Sequence, residues 1–192
     1  MARTPSRRTE DDPRDAMRSQ IDIRIAASPA LVFRLTRDVE RWADLLPHYA
    51  RSTAVERRPD GSIVADFVAQ RPLIPVLGLG LPVTWRARIW SEPASCRLRF
   101  VHVAGATKGM DVTWRIEPDG EGAHVVIEHD FAPRIPGLAL VVDRFFTRPI
   151  AGRTLATFKA IAEAVEAAAV ESGTVESGAV ESVAASPANP SQ

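Results

Sequence analysis

The chain has 192 residues, 45% hydrophobic and 25% charged, the mix of a soluble globular domain long enough to bury a core without covalent staples. Its 24 basic and 24 acidic residues cancel to zero net charge, which removes the long-range field that a nucleic-acid binder would use. Cys96 is the only cysteine, so no disulfide forms within the chain, as suits the reducing cytoplasm where we expect the protein.

Residues 1–19 read as a disordered leader. Arg3, Arg7 and Arg8 mix with Glu10, Asp11 and Asp12, without the apolar stretch of a secretory signal, and the acids argue against a transit peptide. No run reaches the ~18 apolar residues needed to span a bilayer. Ile21, Ile23 and Ile25 then alternate with Asp22 and Arg24, the pattern of a half-buried strand. Ser28-Pro29 opens a helix, with Ser as the cap and Pro at the first helical position; Leu31, Val32 and Leu35 form its apolar side. A second short helix, 39–46, presents Val39, Trp42, Leu45 and Leu46 and ends at Pro47.

From His48 to Asp130 the chain reads as strands and turns, with Pro59-Asp60-Gly61 and Pro118-Asp119-Gly120 as tight turns. Alternation in these strands indicates one antiparallel meander with a buried face. Residues 138–169 carry a long apolar stripe at helical spacing, including Val141, Val142, Phe145, Phe146, Leu155 and Phe158. Pro149 and Gly152 predict a kink there, or two helices end to end. The repeats Val170-Glu171-Ser172-Gly173 and Val175-Glu176-Ser177-Gly178 are too short and small to pack, so 171–192 read as a disordered low-complexity tail whose first residues extend the last helix. The predicted fold is α+β: a seven-stranded curved antiparallel sheet around a long C-terminal helix, with two short helices after the first strand, the helix-grip arrangement.

Arg37-Asp38-Val39-Glu40-Arg41-Trp42-Ala43-Asp44-Leu45-Leu46-Pro47-His48-Tyr49 resembles a segment of START-like (SRPBCC) proteins, most closely the polyketide cyclase/dehydrase and coenzyme Q-binding Coq10 branch. Phe145-Phe146 followed by Arg153-Thr154-Leu155-Ala156-Thr157-Phe158-Lys159 is similar to that branch's closing helix. The resemblance implies that residues 20–170 form a ligand-binding domain. Its cavity, between sheet and helix, would take a hydrophobic small molecule: a polyketide-like aromatic, an isoprenoid quinone or a lipid. Aromatase/cyclase members carry an inward Ser and Arg on the strand where this chain has Ala87 and Ile89, a departure that weighs against cyclase chemistry.

Strand alternation turns Phe67, Trp85, Ile89, Phe100, Met110, Trp114 and Phe131 to the concave side, where each is either core or cavity wall. His102 and His129 share that parity, on strands separated by one neighbour and so roughly 10 Å apart. Each could be a satisfied core histidine, or could hold a ligand. His102 is the preferred candidate for general acid or base, with Tyr49 as the alternative. Tyr49, the only tyrosine, lies near the cavity mouth in relatives; it is a rim residue or a hydrogen-bond donor to a ligand. Its neighbour His48 is expected to be exposed. With Phe145 and Phe146, these residues, Phe131 excepted, are the predicted binding set.

No metal site is expected, because no third ligand joins the two histidines. No cofactor is expected either: Gly105-Ala106-Thr107-Lys108-Gly109 and Gly78-x-Gly80 lack the order and context of phosphate-binding loops. Arg71-Pro72-Leu73-Ile74-Pro75-Val76-Leu77-Gly78-Leu79-Gly80-Leu81-Pro82 is apolar yet broken by Pro and Gly. It reads as a long hairpin connection, as a lid over the cavity, or as a loop making peripheral membrane contact. Three functions remain open at this point: a carrier, a cyclase or dehydratase, and a protein-interaction module.

Overall fold

The computed structural model describes residues 16–184 apart from 75–78, 134 and 136, with the backbone alone for 71–74, 79–80 and 173–184. The expected leader up to residue 15, the end of the expected tail from 185, and the tip of the 71–82 segment lie outside the described residues.

Strand β1 (Met17–Ile25) is followed by α1 (Pro29–Arg37), a single 3-10 turn (Val39–Arg41) and α2 (Trp42–Leu45). Then come β2 (Tyr49–Arg57), β3 (Ile63–Ile74), β4 (Leu79–Glu92), β5 (Arg97–Gly105), β6 (Asp111–Asp119) and β7 (Gly122–Phe131). Helix α3 (Leu138–Val142), a π turn (Asp143–Thr147) and α4 (Arg148–Ala184) close the chain. The strands form one antiparallel sheet in the order β1-β7-β6-β5-β4-β3-β2. Because β1 and β2 lie at opposite edges, the α1–α2 connection must cross the whole sheet. Helix α4 lies over the same concave face and buries Ala151, Leu155, Phe158 and Ala162. Lys159 and Glu163 pin it to the end of β1: Nζ donates to the Arg24 carbonyl at 2.7 Å, and Oε1 accepts from the Ala26 N–H at 2.8 Å.

The helix-grip architecture is the predicted one, and several local readings are corrected. β1 begins at Met17, inside the segment expected to be leader, because Met17 and Ser19 continue the inward parity of Ile25 and pair with Phe131 and His129. Ser28 does not cap α1 with its side chain; its hydroxyl turns 3.5 Å from Glu166 on α4 instead. The 71–82 segment is not a loop along its length. Arg71 pairs with Leu81, Pro72 with Gly80 and Gln70 with Pro82, so both arms extend the β3–β4 ladder. Proline lacks only a donor, and its φ suits a strand wherever its N–H position faces away from the ladder.

The irregularity in the closing helix falls just before Pro149 rather than at it. Pro149 gives no N–H to the Phe145 carbonyl four residues back, and its ring crowds that carbonyl; the turn Asp143–Thr147 widens to π geometry in response. Arginines of the convex face meet acids: Arg86 grips Asp66 through Nε and Nη2 at 2.6 and 2.8 Å, and Arg115 meets Glu128 at 3.0 Å. No described helix is long and apolar enough to cross a membrane.

Candidate functional site: a cavity under the closing helix

Trp42, at the start of α2, sits where the crossing connection meets the sheet. Its Nε1 donates to the Thr36 carbonyl at 3.0 Å. Its ring lies 5.4–5.8 Å from those of Tyr49, Phe67, Phe100, Trp114 and Phe158, drawn from four strands and α4. This cluster fills one end of the concave face, and all of its rings but Phe158 also border the cavity that follows.

Beyond it the sheet and helix separate, leaving a cavity of about 80 Å³. Its sheet wall comprises Tyr49 from β2, Phe67 from β3, Val83 and Trp85 from β4, Phe100 and His102 from β5, Val112 and Trp114 from β6, and Ile127 and His129 from β7. Thr107 and Met110 of the β5–β6 hairpin close one side; Phe146, Thr147, Ile150, Ala151 and Thr154 form the roof. Among these side chains none carries Asp, Glu, Lys or Arg. Phe67, Trp85 and His102 stack in series, with centroids 5.2 and 5.9 Å apart and planes within 12° and 18°. Seating one water takes ~10–15 Å³ of such space, so the volume suits a single ring or one end of a longer ligand rather than a fused polycycle.

The structure therefore gathers Tyr49, Phe67, Trp85, Phe100, His102, Met110, Trp114, His129 and Phe146 around one space. Two predicted wall residues are elsewhere. Ile89 faces the predicted side but lies two pairs along β4, in a hollow with Arg34, Arg37 and Val39 beneath the α1–α2 crossing. Phe145 is 46% exposed, since only one of two consecutive residues on a helical turn can face the sheet, and that one is Phe146. Phe131 is buried in the core and does not line the cavity.

The polar groups are few and confined. His102 Nδ1 lies 2.6 Å from the Thr107 hydroxyl. Burial, helped by His129, pulls its pKa down to about 3. Burial likewise lowers His129 to about 4, with Arg148 pushing the same way and Asp143 opposing. His48, expected to be exposed, is 3% exposed. Pro47 turns the chain back under α4, where His48 Nε2 meets Thr154 Oγ1 at 3.0 Å. That hydroxyl donates to the Ile150 carbonyl at 2.9 Å, so His48 Nε2 carries the proton and donates. Burial, then Arg153, lowers His48 to about 4. Burial pushes the Tyr49 phenol up, against a pull from Thr154. Among the described residues Ser19 Oγ, Arg115 Nε, His129 Nδ1 and Asp143 Oδ1 are buried without hydrogen-bond partners. No cluster of three or more His, Cys, Asp or Glu that could hold a metal is present among the described residues.

Sequence reasoning found Phe146 but missed the rest of the roof, and with it Trp42, Val83, Thr107, Val112 and Ile127. Thr147, Ile150, Ala151 and Thr154 follow the i, i+3, i+4, i+7 spacing that continues to Phe158, and two threonines inside an apolar stripe were the available signal.

A family model described as "Polyketide cyclase / dehydrase and lipid transport" matches residues 25–158. Among solved structures, the Zhui aromatase/cyclase from Streptomyces sp. R1128 is similar at TM-score 0.63 and 21% identity, over 77% of this chain and 94% of its own. TTHA0849 from Thermus thermophilus is similar at TM-score 0.62 and 21% identity, over 78% and 99%. A START superfamily protein from Mycobacterium smegmatis is similar at TM-score 0.59 and 14% identity, over 77% and 98%. These likenesses show a shared fold. No curated protein sequence matches the chain.

Proposed function

The chain belongs to the polyketide cyclase / dehydrase and lipid transport family, and from that premise we propose that it binds and carries a hydrophobic small molecule whose ring, or ring-bearing end, enters the cavity beneath α4. The observation that carries this reading is an apolar, largely aromatic wall with no charged side chain on it. A ring burying about 200 Å² of apolar surface gains roughly 5 kcal/mol before association costs, enough for reversible capture. A longer quinone, polyketide or lipid needs the roof to move, and the π turn is the place where the closing helix departs from regular geometry.

Acid–base chemistry by the two candidate residues is less well supported. A general base works best when its pKa is near the operating pH, whereas burial holds His102 at about 3 and raises Tyr49. Ala87 and Ile89 supply neither the hydroxyl nor the guanidinium that the resemblance places on that strand, and both are buried. Trp42, Trp85 and Trp114 line the cavity and report on it directly. Titration with single-ring aromatics, quinones and lipids should give a saturable change in tryptophan emission, and native mass spectrometry should show one guest per chain. A flat response to every class, with no co-purifying mass, would remove the carrier reading.

A further inference from the structure

The segment that roofs the cavity carries apolar side chains on its outside as well. Ile135, Leu140, Val141 and Phe145 are exposed there, Leu140 at 74%. Leu140, Val141, Arg144, Phe145 and Arg148 fall at i, i+1, i+4, i+5 and i+8, one outer side running from α3 through the π turn into α4. Ala139, Val142 and Thr147 of the same turns are buried beneath them. Phe145 leads directly to Phe146 in the cavity roof. From the sheet, exposed Leu81 stands two residues before the wall residue Val83, and exposed Lys108 follows the wall residue Thr107. Charges at this end of the molecule are sorted by face. Asp111 and Asp130 have the convex parity, opposite to Val112 and His129, and meet Arg99 at 4.0 Å and Arg18 at 3.3 Å. Asp143 is turned inward and held by Arg148. Arg144 and Lys108 are exposed and meet no acid among the described residues.

We infer that the outer side of α3 and the π turn, together with Leu81 and Lys108 from the sheet, is a docking face for an anionic lipid bilayer. The inference goes beyond the ligand-binding reading, since docking needs no guest in the cavity. Leucine, valine and phenylalanine of this side can enter the boundary between headgroups and acyl chains. Arg144 and Lys108 have long apolar stems that let their charged ends stay at the level of the phosphates. Anionic headgroups supply the counter-charge that the protein itself does not offer these two cations. With zero net charge on the whole chain, attraction must come from this face alone, so binding should need both its apolar and its cationic side chains. Contact here would also set the π turn, and the cavity roof behind it, against the phase in which a hydrophobic guest dissolves.

The test measures co-sedimentation of the full chain with vesicles of phosphatidylcholine alone and with about one third phosphatidylglycerol. Docking requires roughly fivefold or more tighter partitioning to the anionic vesicles, and a loss of similar size when salt rises from about 0.1 M to about 0.5 M. Leu140→Ser should cut partitioning roughly fivefold or more, and Arg144→Gln about threefold. Both positions are exposed and neither lines the cavity, so affinity for a single-ring aromatic, read by tryptophan emission, should stay within about twofold of wild type. No partitioning to either vesicle, or equal partitioning to both, would overturn the docking face and leave the cavity reading standing. If Leu140→Ser partitions like wild type, another surface makes the contact and this face is wrongly assigned. If sedimentation velocity shows a wild-type dimer that Leu140→Ser dissolves, with no vesicle binding, the face joins two copies of the chain and the lipid assignment fails. The composition and salt comparisons use wild-type protein, so they hold even where a variant does not fold.

Discussion

The two ends of the concave face are built from the same strands and differ in what lies above them. Where α1 and α2 cross, Trp42 reaches down and every ring around it finds another ring. Where the π turn and the first turns of α4 pass over, the roof is Phe146, Thr147, Ile150, Ala151 and Thr154, mostly smaller side chains, and a void remains. One end is spent on stability and the other is left for a guest. Substitution should separate them. Trp42→Ala is expected to cost about 3–5 kcal/mol, because it removes a 3%-exposed indole from the centre of five rings. Both side chains border the cavity, but Phe146→Ala should cost roughly 1 kcal/mol, since Phe146 is only half-buried and leaves fewer contacts behind. Urea denaturation of both variants checks this, and equal losses would erase the distinction between packed end and open end.

Acidification sharpens the same contrast, since His102 and His129 line the open end and His48 lies against its roof at Thr154. Burial sets them at about 4, 3 and 4 in the folded chain, below the value of 6.5 for an unperturbed imidazole. A lowered histidine pKa favours folding while the ring is neutral, so the benefit is full above about pH 6.5. It is lost as pH falls toward the folded values, because the unfolded chain then binds the proton first. By pH 5 the loss amounts to roughly 2 kcal/mol for each of His48 and His129. The lowered carboxylates Asp60, Asp66 and Glu163 change protonation only below their ordinary range of about 4, so the interval from pH 7 to 5 isolates the histidines. Thermal melts across it should show a steady fall in Tm, shallower in His129→Phe; a flat profile would mean that these rings are better hydrated than their burial implies.

The contrast also shows what the sequence could disclose. Period-two alternation put Phe67, Trp85, Phe100, His102, Trp114 and His129 on one face, and β5 keeps that parity through His102 before Val103 bulges out of the β4 ladder. Gly105, at φ 93°, ends that strand where a Cβ would lie 2.6 Å from the Thr84 carbonyl oxygen. Alternation fixes the face and not the depth along the strand, which is why Ile89 faces the right side and lies in the wrong hollow. The helix period was legible too, but the π turn that chooses Phe146 over Phe145 follows from a proline acting on a carbonyl four residues away. His48 was misread because its burial comes from a fold-back against Thr154, more than a hundred residues distant, that no local pattern announces. The surroundings of His129 belong to the same class, since Ser19 of β1 and Asp143 of the π turn both act on its ring from far along the chain.

The smallest expected effect tests that long-range contact. Thr154→Val keeps the side chain's volume and removes its hydroxyl, so packing against the sheet is preserved. The Ile150 carbonyl loses a second donor, a minor change within a helix. His48 Nε2–H loses its acceptor at 3% exposure, and Tyr49 loses the interaction that opposes its upward shift. The expected cost is about 1 kcal/mol, set by one neutral buried hydrogen bond. It should be seen as a small drop in urea midpoint at unchanged slope, with His48 remaining unprotonated near pH 6 by NMR. If His48 instead titrates near 6.5 in the variant, Thr154 is what keeps the ring inside. The polar edge of the roof would then be held by that single hydroxyl rather than by burial of the surrounding chain.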